Sequence, residues 1–405
     1  MTAEAVVGLR WNVPVVLVSA GILGAAIRPS LGAAPSEGGP PPREGGAAAA
    51  AAWTLALVTV AAVFWIAAVG AASSPDLVFF WGAKAQRFAL ARTVDLELLR
   101  HPFHMFIHPY YPPLVTNVYA LASMVAGRFV WMAAVLTFPL LLGALAFGLP
   151  GILRQRLGAT AAAACSALAV AAIGYAGTET DVGGNGEMPL ILFESLSVAL
   201  LVSPDAGRPA FRVLAGILMA GAASSKVEGL PFVLAVSALV VARERAGARV
   251  SAAARLVAPT ALALGAWFLF GATRRVFFGY SGQGRLLDLH PGYFGIVVVA
   301  IARALWNAGH GLPWIVPLAV LAAARAAGRR SPDSLLPLGT AAALVGFFLF
   351  TYMDRPDDPA LWISWSAARI FMPVAMLIVI AAACSSSSGP AAPGPSRRSA
   401  EPSPR

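Results

Sequence analysis

Apolar residues fall along the chain in blocks of about 15–23, the length a helix needs to cross a hydrocarbon layer about 30 Å thick. The clearest blocks are Ala48–Ala71, Trp131–Pro150, Ala159–Ile173, Met188–Val202, Phe211–Ala223, Pro231–Val241, Leu256–Phe270, Phe294–Trp306, Leu312–Ala324, Leu335–Thr351 and Ile370–Ala383. Lipid offers no hydrogen-bond partner to the backbone, so each block must close its bonds within itself as a helix. The pattern predicts an all-α, polytopic transmembrane bundle of roughly ten to thirteen helices, with short outer-face helices in the first outer loop.

An additional apolar stretch, Trp11–Ile27, reads as an uncleaved first helix. Residues 28–47 carry a Gly-Pro-Pro-Pro run and read as a linker, since such a run breaks helices. Residues 385–405 are rich in Ser, Pro and Arg and read as a disordered cytoplasmic tail. The rest, 1–384, reads as one membrane domain. Two pairs of apolar blocks upset the in–out count: Leu114–Gly127 with Trp131–Pro150, and Phe294–Trp306 with Leu312–Ala324. One member of each pair is expected to be short, re-entrant or interfacial.

Composition agrees with the pattern. The chain is 58% hydrophobic and 12% charged, with a mean hydropathy of +0.74, far from a soluble domain. A formal net charge of +10 would suggest nucleic acid in a soluble protein, but here the arginines sit in short connections, as orientation signals do. No basic stripe interleaved with aromatics is present, so nucleic acid is not expected as a partner. Arginines at 154–156, 208–212, 243–255 and 325–330 mark cytoplasmic loops; 73–113, 174–187, 224–229, 274–293 and 352–366 then lie outside. The two cysteines, Cys165 and Cys384, fall in or beside apolar blocks and read as buried hydrophobes.

The outer loops hold the unusual polar residues. Asp76 opens the stretch Asp76-Leu-Val-Phe-Phe-Trp81-Gly-Ala-Lys84, where a carboxylate at a cavity mouth can serve as general base or simply sit at the interface with Trp81 as anchor. His101, His104 and His108 would share one face of a helix, as a three-imidazole metal site or an amphipathic segment, although Pro102 and Pro109 argue against one continuous helix. Glu187 follows a Gly-rich turn, with Glu179 and Asp181 before it, and caps a helix or faces the outer cavity as a second acid. Lys226 and Glu228 are pinched between two apolar blocks, so they must face protein, water or each other.

Of 29 basic residues only Lys84 and Lys226 are lysines, which suggests that these two positions require a compact ammonium. Arg274, Arg275 and Arg285 flank Phe277, Phe278 and Tyr280 on the outer side, against the orientation bias, and suit a lipid phosphate. Ser366 and Arg369 enter the last helix behind Asp354, Asp357 and Asp358. An arginine at a helix start needs an acidic partner or a bound phosphate.

Taken in order, Asp76-xxxx-Trp81-xx-Lys84-Ala, His108-Pro-Tyr-Tyr111-Pro-Pro, Gly-Glu187-Met-Pro-Leu, Ser-Lys226-Val-Glu228-Gly and Ser366-xx-Arg369 resemble bacterial C-type glycosyltransferases of the protein-mannosyltransferase and aminoarabinose-transferase lineage. The resemblance implies transfer of a sugar from a polyprenyl-phosphate carrier to an acceptor at the outer (periplasmic) face of the inner membrane. It implies Asp76 as catalytic base and Glu187 where relatives more often carry Asp, with Lys226 and Arg369 at basic positions. Trp81, Lys84, His108, Tyr111, Glu228, Arg274, Arg275 and Ser366 complete the candidate substrate-binding set. Many members carry paired acids in the first outer loop, whereas hydrophobics follow Asp76. That departure leaves the acceptor and any divalent cation open. The rival class is a transporter or flippase of an amphipathic solute.

Overall fold

The computed structural model describes residues 10–14, 16, 18, 46–70, 74–101, 107–179, 183–276, 289–307, 315–329, 332–354 and 358–386. Most of the expected linker, tail and first apolar stretch lies outside these residues, as do His104, Asp181, Asp357, Arg285, Phe277, Phe278, Tyr280 and the side chain of Glu179; Ser385 and Ser386, placed in the tail, instead end a helix.

The described chain is all-α, with fifteen α-helices. They are α1 Ala47–Gly70, α2 Gly82–Ala91, α3 Leu96–Arg100, α4 Leu114–Ala126, α5 Trp131–Leu157, α6 Ala159–Glu179, α7 Glu187–Leu201, α8 Pro209–Ser225, α9 Gly229–Arg243, α10 Arg249–Thr273, α11 Phe294–Asn307, α12 Ile315–Arg329, α13 Pro332–Met353, α14 Pro359–Ile370 and α15 Met372–Ser386. Four of these segments, centred on α1, α5, α10 and α13, are long and apolar enough to cross a membrane, and α14 with α15 makes a fifth if their bend is counted within one span. The chain is a multi-pass membrane protein.

Two helices form the centre. α7 and α15 are buried almost all round, with apolar residues predominating around both, as a helix enclosed by other helices requires. α7 packs against α5, α8, α9 and α15; α15 packs in addition against α6, α12 and α13. α1 instead turns Leu55, Val58, Trp65 and Val69 outward, as a helix whose far side meets lipid does. Its inner side packs on α5 and the alanine-rich α6, where small residues let helices approach closely.

The two ends of the bundle differ in chemistry. At one end Asp333 pairs with both Arg156 (2.9 Å) and Arg243 (3.0 Å), and Arg212 pairs with Glu244 (2.6 Å). The arginine-rich connections thus gather at one end, as their sorting by charge predicts. Asp76, Glu187, Lys226, Glu228 and Arg369 gather in a second ion-pair cluster, its four members other than Arg369 coming from connections assigned to the opposite side.

Several boundaries differ from the sequence expectation. α5 runs on to Leu157 despite Pro139 and Pro150, and α6 runs on to Glu179 through residues assigned to a loop. α11 and α12, at 14 and 15 residues, reach only about 21–23 Å at 1.5 Å per residue, short of a full crossing. α4, at 13 residues, packs on α2. The stretch Trp362–Arg369, expected to enter the last helix, lies in a separate helix, α14, bent by 43° from α15.

Candidate functional site

The first outer connection folds back onto the bundle. Ser74 Oγ accepts from the Leu77 N–H, and a π-helical turn, Leu77–Trp81, leads into α2. Leu77, Phe80, Trp81, Lys84, Ala85 and Phe88 are buried, a spacing that keeps one face inward through the wider π turn. Asp76 ends up at the head of that face.

Asp76 meets Arg369, which sits in the last turn of α14, not at a helix start. Pro373 has no N–H to give to the carbonyl of residue 369, so the helix breaks there. A cation in a last turn is favoured by the helix dipole, and the guanidinium has its acidic partners as well. Arg369 Nη1 lies 2.8 Å from Asp76 Oδ2 and 3.5 Å from Glu187 Oε1.

Glu187 begins α7, where the Asn185 side-chain oxygen accepts from its N–H (3.2 Å). The turn before it is tight. Gly184 holds φ +80, and a Cβ on Gly186 would lie 2.8 Å from Lys226 Cγ and 3.0 Å from Trp81 Cζ2. The bare backbone at Gly186 therefore lets Lys226 reach Glu187 at 2.9 Å, with Glu228 on its other side at 3.3 Å.

The result is an alternating chain of charge: Asp76, Arg369, Glu187, Lys226, Glu228. It is built from four separate parts of the sequence and carries three acids against two bases. Burial pushes the Lys226 ammonium down, but the Glu187 and Glu228 carboxylates outweigh it, and the net direction is upward. Oε2 of Glu187 and Oε2 of Glu228 are buried with no hydrogen-bond partner. Of the five side chains Asp76 is the most open, 38% exposed against 2% for Glu187.

A cavity of about 230 Å³ opens on this chain, lined by Asp76, Lys226, Glu228 and Arg369 and by His108, Tyr111 and Ser366 from the expected set. Phe80, Phe347, Tyr352 and Trp362 add an aromatic wall. Ser366 Oγ and Tyr352 Oη share a 2.7 Å hydrogen bond. The mix of apolar wall and a few converging charges is that of a small-molecule site.

Trp81 and Lys84 stand behind this wall. The Lys84 ammonium lies 4.1 Å from the Phe80 ring centroid and 5.0 Å from that of Trp81, and its Nζ donates to the His108 carbonyl at 3.4 Å. Among the described residues no carboxylate pairs with it, and burial pushes its pKa well below the usual lysine range. His108 takes a positive φ (45°) and its ring stacks on Tyr111.

Other expected residues lie elsewhere. Arg274 and Arg275 are exposed at the end of α10 and do not line the cavity; the Arg274 carbonyl accepts from Arg100 Nε (2.6 Å) and ties α3 to that end. His101 and His108 share no helix, because α3 ends at Arg100. Among the described residues no group of three His, Cys, Asp or Glu side chains is placed to hold a metal ion. Asp358 caps α14 by accepting from the Ala360 N–H. Cys165 and Cys384 are both buried.

Of the buried charged residues, one was not singled out by the sequence. Glu194 lies seven residues after Glu187 on the same face of α7, is 2% exposed, and leaves Oε2 without a hydrogen-bond partner. A carboxyl group inside an apolar helix was itself the signal. No family model, curated protein or solved structure matches the chain.

Proposed function

We propose that the chain is a glycosyltransferase of the bacterial inner membrane, moving a sugar from a polyprenyl-phosphate carrier to an acceptor at the periplasmic face. The observation that carries this reading is the meeting of Asp76, Lys226, Glu228 and Arg369 around one aromatic-walled cavity, with Glu187 pairing to both cations behind it. A carrier with a phosphate head and an apolar tail needs cations beside lipid, because keeping the tail in the membrane avoids exposing it to water.

In this mechanism the acceptor hydroxyl attacks the anomeric carbon and the bond from that carbon to the phosphate oxygen breaks. The hydroxyl proton passes to Asp76 and the negative charge leaves on polyprenyl phosphate. Arg369 pairs with Asp76. A donor phosphate competes for that guanidinium, which makes bidentate bonds to phosphate, and so releases Asp76 to act as base. Arg369 and Lys226 then stabilise charge on the departing phosphate.

A second reading, a transporter or flippase of an amphipathic solute, draws on Glu194, an ionisable group set within the helix bundle. The test separates the two. Wild type and Asp76→Asn in lipid nanodiscs are given polyprenyl-phosphate sugars with hydroxyl acceptors, and release of polyprenyl phosphate is measured. The expected outcome is turnover by wild type and a loss of about 10²-fold or more in the variant, the scale of a lost general base. Full turnover by Asp76→Asn removes the assigned base. Solute movement without release of polyprenyl phosphate, abolished by Glu194→Gln, favours the transporter.

A further inference from the structure

A second and larger cleft, about 670 Å³, lies between residues 11–14, α2 and α4. We infer that it binds the phosphate head of an anionic phospholipid from the outer leaflet. The proposal is independent of the glycosyl-transfer reading.

The charge of the cleft is one-sided. Arg92 and Arg128 line it, no acidic side chain does, and neither arginine pairs with a carboxylate among the described residues. Both arginines belong to the side of the molecule that carries the central cavity, opposite the end where Asp333 gathers Arg156 and Arg243. Arginines on that side run against the orientation bias. An anion that a fork of N–H groups can grip gives them a use there.

The cleft is also built to hold something. The Arg92 carbonyl accepts from the Trp11 N–H at 2.6 Å, and Arg92 itself takes a left-handed φ of 52° that ends α2 abruptly. Trp11 is buried edge-on against Phe88. Gln86 adds a polar side chain, while Leu90, Met124 and Phe129 supply an apolar rim. Leu90 is 77% exposed, an arrangement that suits a ligand with a charged head and an apolar tail. A free phosphate would use the arginines alone.

α2 forms one wall of the cleft and follows directly on the turn whose Phe80 lines the central cavity. Lys84, Ala85 and Phe88 face inward, whereas Gln86, Ala89 and Leu90 line the cleft. A lipid seated in the cleft therefore braces the helix that carries Lys84.

The test uses nanodiscs of phosphatidylcholine with one-fifth phosphatidylglycerol, followed by transfer to detergent and native mass spectrometry of retained lipid. The wild-type chain is expected to keep one phosphatidylglycerol in preference to phosphatidylcholine. Arg92→Gln/Arg128→Gln should lower that retention at least tenfold, and Arg128→Gln alone, at an exposed position, several-fold with an unchanged circular dichroism spectrum. Arg87→Gln, on the same helix but paired with Asp95, should retain as wild type does. Equal retention of the two lipids by wild type, or undiminished retention by the variants, would overturn the proposal. Displacement of the lipid by millimolar glycerol phosphate would show that the head alone is recognised, and would overturn the lipid assignment.

Discussion

Coupling between Glu187 and Lys226 can be worked from the geometry and measured by a double-mutant cycle. The atoms are 2.9 Å apart, with side chains 2% and 10% exposed. At the effective dielectric of about 20 that suits protein sites, that separation corresponds to about 6 kcal/mol of attraction. Two effects reduce it: both ions lose hydration on burial, and each keeps a second partner, Arg369 for Glu187 and Glu228 for Lys226. We expect a net coupling of about 2–4 kcal/mol, within the range for contacting residues that share a network. Glu187→Gln, Lys226→Met and the double variant would be unfolded at equilibrium in mixed micelles of increasing SDS fraction, followed by tryptophan fluorescence. The surface pair Arg87–Asp95, with Arg87 49% exposed, serves as the internal control and should couple by less than about 1 kcal/mol. A Glu187–Lys226 coupling no larger than the control would refute the view that this pair is a buried, mutually dependent contact.

Lys84→Met should stabilise the protein by about 1–3 kcal/mol while reducing turnover, because it removes a buried ammonium with no carboxylate partner and keeps the side-chain volume. The sign with pH follows. Burial lowers the folded-state pKa of Lys84, so between that value and 10.5 the unfolded chain holds a proton that the folded chain lacks, and wild-type stability rises with pH. The advantage of Lys84→Met, read from unfolding curves at stepped pH, should therefore be largest near neutrality and shrink as pH is raised; an advantage that grows with pH would contradict the reasoning. Gly186→Ala should place its new methyl against Lys226 and Trp81 and cost about 1–3 kcal/mol, the range for overpacking, seen as a lower unfolding midpoint and weaker donor binding. An unchanged midpoint would mean that the Glu187 turn is looser than the distances indicate.

Much of the candidate site was legible because charge is costly beside lipid. Asp76, Glu187, Lys226 and Arg369 sit at the ends of apolar blocks, where an ionised group is tolerated only with a partner, and the structure supplies partners for all four. The scarcity of lysine singled out Lys84 and Lys226, both of which are buried. Who pairs with whom was not legible, because Asp76 and Arg369 lie 293 positions apart and no periodicity links them. The 43° bend between α14 and α15 was marked by Pro373, but Pro139, Pro150 and Pro259 lie within continuous helices. A proline alone therefore did not say where a helix would break. Glu194 was hidden by its own surroundings, since an apolar block is recognised by averaging and one carboxyl hardly changes the mean. The outer cleft joins Trp11, Arg92 and Arg128 from distant positions, so only tertiary packing could reveal it.

The charge chain has two roles that a single substitution confounds. Each inner member is buried against at least one opposite charge, so removing Glu187 or Lys226 leaves a buried ion short of a partner and loosens the packing of α7, α8 and α9 as well as the cavity. Loss of turnover in such a variant therefore says little about chemistry. Asp76 differs. At 38% exposed it can be replaced by Asn at modest structural cost, and Arg369, though it loses that partner, keeps Glu187 at 3.5 Å. Its neutral isostere removes the proton acceptor while leaving the rest of the chain paired. Among the acids of the cluster, Asp76 is the one at which function can be separated from fold, and a mechanism built on a base at the cavity mouth stands or falls there.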